Sequence, residues 1–88
     1  MNNDMKLSDM PNIGNELEKK LITVNIKDSD DLKIHGSKGA FLRLKTLYPD
    51  DTCINMLYAI EGAIRGIRWH SLEQNIKTDL LDYYNRIK

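Results

Sequence analysis

With 88 residues the chain holds one compact domain and excludes a multi-domain enzyme. Hydrophobic residues at 41% and charged residues at 30% give the balance of a globular chain rather than a disordered one. Lys and Arg number 13 and Asp and Glu number 13, so the net charge is zero, which argues against a strongly basic nucleic-acid binder; the single Cys53 excludes a disulfide-stapled scaffold.

The N-terminus, Met1-Asn2-Asn3-Asp4-Met5-Lys6, is polar and lacks the apolar stretch of a signal peptide. No apolar run approaches the ~20 residues that span a bilayer. The expectation is therefore a cytoplasmic protein with Cys53 reduced and no membrane partner. Residues 1–6 read as a flexible tail, and 7–88 as a single helical domain.

The period is helical almost throughout. A short turn at about Met5–Asp9 precedes Met10-Pro11-Asn12-Ile13-Gly14, where Asn12 and Gly14 both tolerate positive φ. Ile13, Leu17, Leu21 and Val24 then share one helix face, Asn25 is a stop and Ile26 an apolar plug. Asp28 or Ser29 caps a third helix that Gly36 ends; Ser37 caps a fourth, Lys38 to Leu47, with Phe41, Leu44 and Leu47 or Tyr48 inward. Pro49-Asp50-Asp51-Thr52 is a break and a cap together, ahead of the longest helix, Cys53 to Ile67. Its apolar positions cover more than half its circumference, so it is expected at the centre, with Leu57, Ile60 and Ile64 buried. Trp69-His70 forms an elbow, with the indole N–H expected to donate to a backbone carbonyl. Ser71-Leu72-Glu73-Gln74 fits a capping box for a last helix carrying Leu72, Ile76, Leu80, Tyr83 or Tyr84, and Ile87. The predicted fold is all-α, a compact bundle of five or six short helices of helix-hairpin-helix or SAM-like kind.

No residue set points to catalysis. His35 and His70 are far apart, neither sits beside Cys53, and no metal-ligand spacing exists, so no enzyme, cofactor or metal is expected. Cys53 reads as a small residue entering the core. Asp30-Asp31 and Asp50-Asp51 lie at helix starts, where capping and dipole compensation account for them.

Two turns could present backbone N–H groups to a phosphate. After Pro11–Gly14 the next turn is acidic, Asn15-Glu16-Leu17-Glu18, so that turn reads as structural. From Lys33 to Tyr48 there are four basic residues, Lys33, Lys38, Arg43 and Lys45, and no acidic one. The candidate anion contact is therefore Gly36, Ser37, Lys38, Gly39, Arg43 and Lys45, weighed against a solvated basic face. Gly62 and Gly66 each cost a helix interior about 1 kcal/mol relative to Ala. With Ala59 and Ala63 they form a small-residue strip, read as close helix packing within the chain or as a self-association face, so that monomer and homodimer both stay open.

The string from Cys53 to Trp69, with Leu57-Tyr58-Ala59-Ile60-Glu61-Gly62-Ala63 at its centre, resembles the signature helix of the TfoX/Sxy C-terminal domain family. Pro11–Gly14 and the stretch from Gly36 to Lys45 look like its earlier elements, and the resemblance covers about Leu7 to Tyr84. It implies an all-α, helix-hairpin-helix-like domain related to bacterial competence regulators, with no enzymatic site to carry over. The expected function is a non-enzymatic interaction module in DNA-related or transcriptional regulation, acting on a protein partner. The alternative is weak, sequence-independent binding of the DNA backbone through the hairpin turns.

Overall fold

The computed structural model describes residues 5–88. A 3-10 turn at Leu7–Asp9 leads to α1 (Asn15–Thr23), α2 (Ser29–Leu47) and α3 (Ile54–Arg65), and a second 3-10 turn at Trp69–Ser71 leads to α4 (Gln74–Ile87). The described residues form no strand; one isolated antiparallel bridge joins Lys6 to Asp28. Of the tail expected over 1–6, residues 1–4 lie outside the described residues, while Met5 and Lys6 belong to the fold. Met5 exchanges backbone and side-chain hydrogen bonds with Ser29, each 3.0 Å long.

Among the described residues the expected five or six helices are four, for local reasons. The third and fourth expected helices run on as α2, interrupted only at Gly36 (φ 74°, ψ 166°), a conformation open essentially to glycine alone. The short N-terminal and elbow pieces are 3-10 turns rather than α-helices.

Several ends follow the side-chain chemistry. Asn25 has φ 70° and turns the chain so that the Ile26 N–H reaches the Leu21 carbonyl at 2.9 Å, with Ile26 fully buried. Asp28 Oδ1 accepts from the Asp31 N–H at 2.9 Å, and Asp31 Oδ2 accepts from the Lys27 N–H at 3.0 Å. The paired carboxylates there are thus a reciprocal cap.

Three expected caps do not form. Ser37 lies past the break with its hydroxyl turned to Glu61 rather than to its own backbone. Cys53, not Thr52, takes the N-cap position of α3, and its place outside the first turn leaves it exposed instead of in the core. Ser71 sits in the elbow turn, because Leu72 is buried in extended conformation and α4 starts only after Glu73. At the other end of α3, Gly66 is left-handed (φ 75°) and stops the helix before Ile67.

Two apolar clusters make the core. Leu7, Met10, Ile13, Leu21, Ile26, Leu32, Ala40, Leu44, Ile60 and Ala63 form the larger; Phe41, Leu57, Leu72 and Leu80 form the second, with Tyr84 tilted against Phe41 at 5.9 Å. Both α2 and α3 contribute to each cluster, and α3 alone carries Ile60 into one and Leu57 into the other. Ile64, expected in the core, is only half-buried beside it. Truncation of Leu57 or Ile60 to Ala should cost about 2–5 kcal/mol. Ile64→Ala should cost clearly less, and urea unfolding of the three variants checks this order.

Candidate functional site

A concavity lies where the break in α2 faces α3 and α4. It is a cleft of about 500 Å³ lined by His35, Ser37, Lys38, Glu61, Arg65 and Asp79 among others. The positive φ at Gly36 is what redirects α2 so that Ser37 and Lys38 look into it. Ser37, 6% exposed, donates its hydroxyl to Glu61 Oε1, and Arg65 Nε donates to Glu61 Oε2. Lys38 Nζ lies 2.8 Å from Asp79 Oδ2. His35 turns back on its own helix, its Nδ1–H donating to the Asp31 carbonyl at 2.8 Å. Two cations and two carboxylates therefore face one another, and the cleft has no excess positive charge for a phosphate.

The six residues expected to make an anion contact are not brought together. Gly36, Ser37 and Lys38 line the cleft, whereas Gly39, Arg43 and Lys45 do not. Arg43 Nη1 donates to the Val24 carbonyl at 3.0 Å, on the side facing the end of α1. The run from Lys33 to Tyr48 is free of acidic residues in sequence only; α3 and α4 bring the carboxylates in. Among the described residues no cluster of His, Cys, Asp or Glu could hold a metal ion.

The small-residue strip divides into two separate roles. A Cβ at Gly62 would stand 2.6 Å from Asn12 Nδ2, 2.8 Å from the Ile67 carbonyl oxygen and 3.1 Å from Trp69 Cα. Ala59 and Ala63 are buried in the same region. This part of the strip is covered by the chain itself. Gly66 stands outside it: no atom lies within 4 Å of its Cβ position, and its left-handed φ is what calls for glycine.

Asn12 closes this region, a role that its place in a turn did not reveal. With φ 71°, it sends its side chain inward. Nδ2 donates to the Ala59 carbonyl at 3.3 Å and to the Ile67 carbonyl at 2.9 Å, and Oδ1 accepts from the Trp69 N–H at 3.2 Å. The Trp69 main-chain N–H, rather than its indole, is the group that finds a partner here. The ring itself stacks on Tyr58 at 5.8 Å and on His70 at 4.0 Å, with Lys77 Nζ 5.7 Å from its centroid. The three partners of Asn12, 47, 55 and 57 residues away, are outside the reach of a pattern in sequence, although Glu61 and Arg65, four apart on α3, carried a visible signal for their pair.

These features define a small all-α domain folded round a broken helix, with a self-neutralised cleft and a side-chain amide locking its first turn to its third helix. The sequence matches the TfoX C-terminal domain over residues 3–84, and the chain belongs to that family. It is 28% identical over 76 residues to the DNA transformation protein TfoX1 of Aliivibrio fischeri, a match covering 86% of this chain and 36% of that protein. The chain thus spans little more than a third of that relative. An uncharacterized protein from Listeria monocytogenes, in a triclinic crystal form, is 44% identical with a TM-score of 0.90, over 93% of this chain and 92% of that one. A protein of unknown function from the same organism, in a tetragonal form, is 44% identical with a TM-score of 0.89, over 93% of this chain and 100% of that one.

The two glycines should respond differently to substitution. Gly62→Ala should destabilise by about 1–3 kcal/mol through overpacking. Most of that loss should persist in an Asn12→Gly background, because the Ile67 oxygen and Trp69 Cα are backbone atoms. Gly66→Ala should cost roughly 1–2 kcal/mol through its left-handed φ alone, and Gly66→Asn less. Thermal unfolding of the four variants separates steric from conformational cost.

Proposed function

We propose that the chain is a non-enzymatic interaction module that works in the cytoplasm, in regulation linked to DNA transformation, and that it acts by contacting another protein. Family membership and the printed name of the Aliivibrio relative support the pathway. The observation that carries the mode of action is the engagement of four cations, three in ion pairs and one on a backbone carbonyl. Lys38 is held by Asp79, Arg65 by Glu61 and Arg86 by Asp82, while Arg43 is bonded to the Val24 carbonyl. A backbone-binding DNA module gains affinity by offering unpaired cations to successive phosphates. The Pro11–Gly14 turn, which joins a 3-10 turn to α1, uses Asn12 for packing inside the domain. Both facts weigh against DNA as the main ligand.

Titration of a fluorescent duplex at about physiological salt should show no saturable binding. At low salt any binding should be weak and independent of sequence. Tight binding that discriminates one duplex sequence from another would overturn the reading. In the host, crosslinking through the intact chain should join it to a protein and not to DNA, and loss of the domain should lower transformation.

A further inference from the structure

The protein-contact reading leaves open which surface meets the partner. The cleft at Lys38 is neutralised from within, and the exposed face around Val24 and Leu42 has its one cation, Arg43, bonded to the chain. A third concavity differs from both. It is a groove of about 310 Å³ between the N-terminal segment, the start of α2 and the end of α3. Met5, Met10 and Ile64 give it apolar lining, and Lys33 and Arg65 are its charged side chains. No acidic side chain among the described residues lines it.

The apolar lining is held in place. Met5 is 47% exposed, yet its backbone N–H donates to Ser29 Oγ and its carbonyl accepts from the Ser29 N–H, both at 3.0 Å. Ser29 is itself 4% exposed, and the Lys6 to Asp28 bridge continues the seam. Met10, 5% exposed, and the half-buried Ile64 belong to or pack on the larger core cluster. An exposed methionine on a fixed backbone offers a flexible, polarizable contact without the ordering cost of a loose tail. Lys33 has no ion-pair partner among the described residues, and Arg65, which engages Glu61 through Nε, has further N–H donors on its guanidinium.

We infer that this groove is the docking surface for a partner polypeptide segment that presents an apolar side chain next to a carboxylate, as one turn of an acidic amphipathic helix does. The apolar side chain enters between Met5, Met10 and Ile64, and the carboxylate is met by Lys33. Such a segment is what the charge of the groove selects: a basic segment meets Lys33, which has no ion-pair partner among the described residues, while Arg65 is already held by Glu61. The inference rests on the protein-contact reading but is tested on the purified chain alone, so the two fail separately.

The probe is a displayed library of short random peptides selected on the immobilised full chain. Peptides joining Asp or Glu to Leu, Ile, Met or Phe should be enriched, and in solution they should shift the methyl resonances of Met5, Met10 and Ile64. Lys33→Glu and Met5→Asp, both at exposed positions, should each weaken the selected peptides at least roughly tenfold while leaving the circular dichroism spectrum unchanged. Lys33→Gln should fall between Lys33→Glu and the parent chain. Enrichment of basic peptides, absence of enrichment, displacement of the peptides by duplex DNA, or binding that survives both variants would overturn the groove. A partner crosslinked equally well by the Lys33→Glu chain would also overturn it, while leaving the protein-contact reading in place.

Discussion

The arrangement of this domain depends on one amide side chain. Asn12 bridges the first turn to groups 47, 55 and 57 residues away in sequence, bonding the carbonyls of Ala59 and Ile67 and the N–H of Trp69. Each bond contributes modestly, on the order of 1 kcal/mol, but leaving those backbone groups unpaired beside the core would cost more. Three conditions must hold together. Asn12 must accept a left-handed φ, which Asn tolerates better than other residues with a side chain. Position 62 must carry no side chain, because the amide occupies the space a Cβ would need. The chain must leave α3 at Gly66 so that Ile67 and Trp69 return over Gly62. The Pro-Asn-Ile-Gly turn and the Gly62 to Gly66 segment, which look like separate motifs, are two halves of one contact.

That coupling explains how much of the molecule was legible in its sequence. Local signals carried far. Asn25 as a stop, Asp28 as a cap, Gly36 as a break and the apolar breadth of α3 all act within a few residues of themselves. Signals shared by two explanations did not resolve. Glycines four apart on a helix pattern suit a close crossing and equally a crossing followed by a left-handed cap, and only the φ of 75° at Gly66 separates these. Ser71 with Gln74 has the form of a capping box, yet the burial of Leu72 requires extended backbone where the box would need helix. Cys53 reads as core by residue type but falls at a helix boundary, where a shift of one position exchanges inside for outside.

The candidate anion residues lie apart for a different reason. A stretch from Lys33 to Tyr48 without acidic residues says nothing about charges that tertiary structure brings to it. Asp79 is 41 residues beyond Lys38, and Glu61 is 24 beyond Ser37. At 43% and 67% side-chain exposure the Lys38 to Asp79 pair adds little stability, about 0–1 kcal/mol before screening by salt. Its consequence is for binding: an incoming phosphate would have to displace a carboxylate already in place. Pairing of this kind is repeated at Arg65 and Arg86, which bond Glu61 and Asp82.

Of the two charged residues lining the groove beside Met5, Arg65 is held by Glu61, and Lys33 has no ion-pair partner among the described residues. Its walls come from segments the Asn12 contact holds in register: the turn that follows Met10 and the end of α3 that carries Ile64 and Arg65. The N-terminal wall is tied by the Ser29 seam to the capped start of α2, which presents Lys33 one turn later. The contacts that fix the fold therefore also fix the spacing between an apolar floor and the Lys33 cation. A small domain has little stability in reserve. Building a recognition surface on backbone already fixed for folding avoids the entropy of ordering a separate loop when the partner arrives.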